Sequence, residues 1–379
     1  MRILLVGDYP HDPKLGSAKV SCKLREEFQR AGHTCHVLFA EDLGGCPRDM
    51  HLRQACAPWL ALRAIQSVVA KEGPFDVVDV ASAEGWIFGL FKRLRGSRTA
   101  LVCRSHGLEH LNYARMLDDH KAGLLTKPWT RRLWYPVMRL SQVAWAARQS
   151  EAMIVLNETD RAFVLERRWK SADAVQVVEH GVSDAFLTNS IPDGPRGQGL
   201  LFCGTWTGMK GVDYLVPSFT KVAHKDDAAR LTILGGAVPA AQIAAAFPED
   251  VRPRVRILNR LPEEEVIRHY REHDALVFCS TYEGFGMVAL EAMSQGLPVI
   301  ATPVGCARQL IKDGETGLLV PLRNVDALAE AMQRMLTDTA ARRALAARAW
   351  ATARVMTWKR SAECTTRMYE QALRMVKNN

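Results

Sequence analysis

Along the chain, short apolar runs alternate with longer stretches in which apolar residues recur every three to four positions. The short runs, rich in β-branched residues and bounded by Gly, Asn or Asp, predict strands, and the 3.6-residue periodicity between them predicts helices. A first set comprises "RILLVG", "CHVLFA", "FDVVDV", "TALVCRS", "AMIVLN" and "AVQVVEH"; a second comprises "GLLFCGT", "RLTILGG", "RVRIL", "ALVFCS", "LPVIAT" and "GLLV". Strands separated by helices imply parallel sheets covered on both faces, so the expected fold class is α/β with two doubly wound, Rossmann-like domains. The stretch "TNSIPDGPRGQG" between the two sets, with its prolines and glycines, marks a linker. The expected division is 1–188, 189–356 and a terminal helix over 357–379 that packs back on the first domain. Ligands of such sheets bind beyond the carboxyl ends of the strands, and two facing sheets would form a cleft there.

Length agrees with that division, because 379 residues exceed what one ordinary core organises. The net charge of +9 is spread evenly, with 26 Lys/Arg against 21 Asp/Glu up to Ser190 and 24 against 20 after it. A diffuse excess argues against a nucleic-acid stripe and leaves anionic ligands or an acidic membrane surface. Nine cysteines without a C-x-x-C pair, several inside strand-like runs, read as reduced core residues and fit the cytoplasm. "MRILLVGDYP" reads as a first strand and not a signal peptide. No run approaches the ~18 apolar residues of a membrane span, so any membrane contact is expected to be peripheral.

Neither half carries G-x-G-x-x-G after its first strand, which removes the main support for a dinucleotide enzyme. "GTWTGMKG", Gly204 to Gly211, fails the P-loop spacing because Met209 stands between Gly208 and Lys210. What remains is a glycine-rich loop after a strand, with Lys210 at a helix start that favours anions. In "STYEGFGMVALEAMSQGLPVIAT" a strand ends, a Gly-Phe-Gly loop follows, and a helix runs to Gly296 and Pro298. Glu283 stands before that helix and Glu291 inside it, so the two can address different parts of one elongated ligand. A carboxylate between Leu290 and Ala292 needs donors, and adjacent ribose hydroxyls are suitable ones. A solvated helix Glu is the alternative reading.

"EGFGMVALE", followed by "AMSQGLPVIATPVGCARQLIKDGETGLLVP", resembles the E-x7-E motif of glycosyltransferase family 4, retaining enzymes of GT-B architecture. "GDYPHDPKLGSAKVSCKLREEFQRAGHTCHVL" is similar to the family's opening, "VEHGV" to its pre-linker element and "FCGTWTGMKGVDYL" to its phosphate loop. The resemblance implies a UDP- or GDP-linked sugar donor held mainly by the second domain, and a glycan or lipid-linked acceptor. By that analogy Glu291 binds the ribose, while Glu283 and the amides of Gly284, Phe285 and Gly286, with Met287, address the donor sugar and β-phosphate. Lys210 neutralises the diphosphate, Gly16 approaches it from the first domain, and His106 lies near the transferred sugar. The catalytic set is His106, Lys210 and Glu283.

Two positions depart from the family. Thr205 stands in the phosphate loop where an Arg is usual, leaving Lys19 or Arg104 as substitute cations, and His180 replaces an Asn. No D-x-D occurs, so no metal cofactor is expected, and the front-face mechanism inferred for the family needs no protein nucleophile. A nucleotide-sugar epimerase and a non-catalytic nucleotide-sugar-binding protein are the alternatives. Lys127 to Gln149, "KPWTRRLWYPVMRLSQVAWAARQ", is amphipathic, with Leu133, Val137, Leu140 and Ala144 on one side and Arg132 and Arg139 opposite. Pro136 implies a kink. The segment either packs on the first domain or lies on anionic headgroups, giving a peripheral membrane contact.

Overall fold

The computed structural model describes residues 1–12, 16–45, 49–124, 133–192 and 196–378. Among them each apolar run named above supplies one strand. In the first unit these are β1 (Arg2–Val6), β2 (Thr34–Leu38), β3 (Val77–Ala81), β4 (Ala100–Arg104), β5 (Ala152–Val155) and β6 (Val175–Val177). They form one parallel sheet in the order β2-β1-β3-β4-β5-β6. In the second unit β7 (Leu200–Cys203), β8 (Leu231–Leu234), β9 (Val255–Leu258), β10 (Ala275–Phe278), β11 (Val299–Ala301) and β12 (Leu318–Leu319) run in the order β12-β11-β10-β7-β8-β9, again parallel.

The alternation of side chains along a strand assigns each face its helices. Leu4, Val6, Val78, Val80 and Leu101 share a core with Ile65 of the Met50–Glu72 helix and Phe88 of the Trp86–Leu94 helix. On the opposite side of β3 and β4, Asp79 and Arg104 meet Tyr369 of the last helix, Trp358–Asn378. In the second unit Phe202, Ile233 and Val277 pack on Leu215 and Phe219 of the Val212–Lys225 helix and on Met332 of the Val325–Thr337 helix.

The units comprise Met1–Gly181 with Trp358–Asn379, and Val182–Thr357. The first boundary therefore falls ahead of residue 188, where linker composition suggested it. The cause is local: Phe186 is buried against Tyr270, Arg354 donates to the Asn189 carbonyl, and Gln295 donates to the Phe186 carbonyl. Composition marks the residues that cannot be helix or strand, whereas the boundary follows where side chains pack.

The amphipathic segment is broken as Pro136 implies. Residues 125–132, with Arg131 and Arg132, lie outside the described residues; Pro136–Leu140 is a π-helical turn that leads into the Ser141–Gln149 helix. A π turn holds an extra residue, so the apolar side rotates through it. Leu133 and Val137 are consequently exposed while Leu140 and Ala144 are buried. Arg139 does not face outward with a cationic surface: it pairs with Glu84 at 2.7 Å and Glu109 at 3.1 Å.

Candidate active site

In each sheet the strand order reverses once, between β1 and β3 in the first unit and between β7 and β10 in the second. Loops leaving adjacent strands at such a switch point turn to opposite faces and leave a crevice for a ligand. In the second unit those two loops carry the residues singled out above.

After β7 the chain passes Gly204 and the exposed Thr205, makes a 3-10 turn over Gly208–Lys210, and enters the Val212–Lys225 helix through Gly211 at φ 76°. Lys210 is thus separated from the helix by Gly211 and does not lie in it. A Cβ on Gly211 would stand 1.9 Å from the Cys279 carbonyl oxygen, so only glycine allows this loop to lie against the end of β10. Thr281 completes the contact by donating its N–H to the Met209 carbonyl at 2.8 Å. The second loop enters the Met287–Ser294 helix through Gly286 at φ 90°, where a Cβ would strike the Phe278 ring at 2.7 Å. Two helices therefore begin side by side from left-handed glycines, each with first-turn N–H groups beyond the reach of its own carbonyls.

Lys210 Nζ donates to Glu283 Oε1 at 2.5 Å, and the Ser280 hydroxyl donates to the same oxygen at 2.7 Å. The ammonium has three donors, of which this pair uses one. Phe285 is buried, and its carbonyl accepts the Cys306 N–H, which holds the Gly284–Gly286 loop to the chain after β11. Glu291 is 9% exposed on a helix whose neighbours Leu290 and Ala292 are fully buried, and the Tyr270 hydroxyl lies 3.4 Å from its Oε2. Tyr270, on the Glu263–Glu272 helix, carried no functional signal in the sequence because a Tyr at helical spacing reads as core.

Gly16 and His106 belong to the first unit. Gly16 opens the Gly16–Arg30 helix, and among the described residues a Cβ there would meet no atom within 4 Å, so their packing does not require glycine. His106 follows β4, with its ring edge-on to Tyr9 at 5.5 Å between centroids. Burial, reinforced by the nearby Arg104, pushes its pKa down to about 3, and its Nε2 has no hydrogen-bond partner among the described residues. It is therefore a neutral imidazole with one ring nitrogen unused. Arg104 does not serve as a substitute cation. It is 4% exposed and bonded to Asp79 at 2.6 and 2.9 Å and to Tyr369. His180 is likewise buried and neutral, its ring against Trp358 at 5.4 Å. Among the described residues no group of three His, Cys, Asp or Glu side chains is placed to hold a metal.

A glycine-rich loop with a lysine, beside a second loop whose helix buries a glutamate, at the switch point of one of two Rossmann-like sheets, defines a protein of the GT-B class. Residues 16–186 match the model of "Glycosyltransferase Family 4" and residues 197–338 that of "Glycosyl transferases group 1". The chain belongs to glycosyltransferase family 4. It is 30% identical over 242 residues to D-inositol 3-phosphate glycosyltransferase of Frankia alni, covering 59% of this chain and 60% of that protein. Against the glycogen synthase of Mycobacterium tuberculosis it is 29% identical over 237 residues, 61% of this chain and 56% of that one. These alignments span little more than half the length of the relatives. The fold resembles sucrose-phosphate synthase from Thermosynechococcus elongatus, with TM-score 0.78, 21% identity, and 98% and 99% of the two chains covered. It also resembles Anabaena HepE in complex with UDP, with TM-score 0.70, 15% identity, and 97% and 99% covered.

Proposed function

We propose that the chain is a retaining glycosyltransferase that moves a sugar from a UDP- or GDP-linked donor to the hydroxyl of a glycan or lipid-linked acceptor without a metal ion. The observation that carries the reading is the Lys210–Glu283 pair between two helix starts at the β7/β10 switch point, with Glu291 buried on the second of those helices. That set matches the parts of a nucleoside diphosphate sugar: a cation and helix ends for the diphosphate, a carboxylate for the ribose diol, and a second carboxylate for the sugar. Charge grows on the diphosphate as the glycosidic bond breaks, and there Lys210 and the helix ends act most strongly. The sugar becomes oxocarbenium-like, and the departing phosphate oxygen takes the acceptor proton. His106, held neutral, suits a hydrogen bond to a sugar hydroxyl and not a charge contact with phosphate. The complex of HepE with UDP, a protein of the same fold, supports the donor class.

The test is a transfer and donor-hydrolysis assay with UDP- and GDP-sugars in EDTA. Turnover should persist in EDTA, the product should keep the donor's α configuration in the anomeric coupling by NMR, and Glu291→Ala should raise the donor KM at least tenfold. Loss of turnover in EDTA with recovery in magnesium would end the metal-free reading. Binding without turnover would favour a sensor, and donor sugars interconverted without transfer would favour an epimerase.

A further inference from the structure

Glu291 occupies a costly place. Its carboxylate lies on a helix whose Ala289, Leu290, Ala292 and Met293 are fully buried, and a charge there requires donors from the protein as well as from a ligand. The structure places one such donor, Tyr270, whose ring is fully buried on the Glu263–Glu272 helix. Its hydroxyl lies 3.4 Å from Glu291 Oε2 and 3.7 Å from Cys203 Sγ. Burial pushes the Cys203 thiol up to about 12 and the Tyr270 phenol well above its ordinary value, so both keep their protons. Of the two acceptors the carboxylate is the stronger, and a phenol donating to it fixes one of its oxygens.

The separation of the two helices is itself held. Arg196 donates to the carbonyls of Tyr270 and His273 at the end of one helix, at 2.7 and 3.2 Å. The other half of the guanidinium donates to Gln295 and Gly296 after the Met287–Ser294 helix, at 3.1 and 2.8 Å. One fork-shaped cation thus ties the helix that carries the hydroxyl to the helix that carries the carboxylate.

We propose that Tyr270 is a positioning residue for nucleotide recognition: its hydroxyl anchors Oε2 of Glu291 so that the other carboxylate oxygen is presented to the ribose diol. The proposal rests on the reading of Glu291 as the ribose partner. It predicts a loss confined to ligands that carry a ribose, and a change in KM without a change in kcat, because the ribose contact is made equally in ground and transition states.

The experiment is calorimetric titration of the whole chain with UDP, GDP and inorganic pyrophosphate, for the wild type, Tyr270→Phe, Glu291→Ala and the double variant. Tyr270→Phe should weaken the preferred nucleoside diphosphate about fivefold to tenfold, leave pyrophosphate unchanged, and add nothing to Glu291→Ala. Wild-type affinity in Tyr270→Phe beside a weakened Glu291→Ala would make Tyr270 mere core and overturn the proposal. Wild-type affinity in Glu291→Ala would instead remove the ribose reading beneath it. Should Tyr270→Phe fail to fold, Cys203→Ala decides, since it deletes the other acceptor. Unchanged or tighter UDP or GDP binding is expected; a loss that extends to pyrophosphate would show that the hydroxyl serves the strand end and not the carboxylate.

Discussion

Asp160 shows how far burial can move one side chain from its ordinary chemistry. It is 1% exposed in the first turn of the Glu158–Glu166 helix, capped by Asn157, with the backbone of Leu108 and the charge of Glu109 nearby. Burial raises its carboxyl to about 7, while the unfolded chain keeps the ordinary value of 3.8. Between those values the folded state binds the proton more tightly, so this group's contribution to stability is fully present below pH ~4 and is lost as pH rises through ~7. A shift of this size corresponds to roughly 4 kcal/mol at ~1.4 kcal/mol per unit. Asp160→Asn removes the titration and keeps the shape. In urea unfolding the variant should match the wild type near pH 4 and become progressively more stable than it between pH 5 and 8. Parallel pH profiles would mean that Asp160 ionises normally. Such a residue is invisible in the sequence, where an Asp early in a helix reads as a favourable dipole partner; only its burial, with the charge of Glu109 from another segment, reverses the sign against the hydrogen bonds of Asn157 and Leu108.

Whole elements were more legible than contacts. Every strand followed from a local apolar run, because burial on both faces of a parallel sheet imprints itself on consecutive residues. That Lys210 and Glu283 each follow a strand was readable too, whereas their pairing depends on β7 lying next to β10, which periodicity does not encode. Arg196 was unreadable for the same reason: it sits in linker composition, and the carbonyls it serves are 74 to 100 positions away. In the amphipathic segment the interruption of the α-helix at Pro136 was legible, and the partners of Arg139 were not. Arg139 is committed to Glu84 and Glu109, so reversing its charge should destabilise the first unit and says nothing about lipid. What faces outward is Leu133 and Val137, with Leu52 and Trp59 on the Met50–Glu72 helix, whose His51 packs edge-on against Trp134 at 4.7 Å. An exposed apolar patch of this kind on a basic protein is the physical basis for proposing peripheral contact with an anionic membrane and a lipid-linked acceptor. The chain should co-sediment with vesicles containing anionic lipid at low salt and be released by ~0.5 M salt as screening shortens electrostatic reach. Leu133→Asp with Val137→Asp should abolish sedimentation while leaving the thermal transition in place. A chain that remains in the supernatant at low salt points to a water-soluble acceptor.

At the scale of the molecule, the first unit is closed by a segment that the chain supplies only after completing the second. The chain leaves at Gly181 and returns at Trp358, and the ring of His180 packs against Trp358 where the two passages meet. The returning helix then buries Met368, Tyr369 and Ala372, with Tyr369 beside Phe28 and its hydroxyl donating to Asp79. Asp79 and Arg104 are 2% and 4% exposed, an ion pair whose desolvation is tolerable only while its remaining bonds are made. Removing residues 358–379 therefore uncovers both an apolar face and a charged pair, and the truncated chain should be insoluble. Tyr369→Phe is the finer probe, because it keeps the ring and deletes one donor to a buried carboxylate. It should cost about 1–3 kcal/mol in the first unit's urea transition. Asp79→Asn leaves the Arg104 guanidinium buried without its counter-charge and should cost about 3–5 kcal/mol. The double variant should lose less than the sum, since the phenol has no charge left to serve. Additive losses, or a Tyr369→Phe protein within about 0.5 kcal/mol of wild type, would mean that the helix is held by its apolar face alone and that the buried polar cluster is a passenger of the fold.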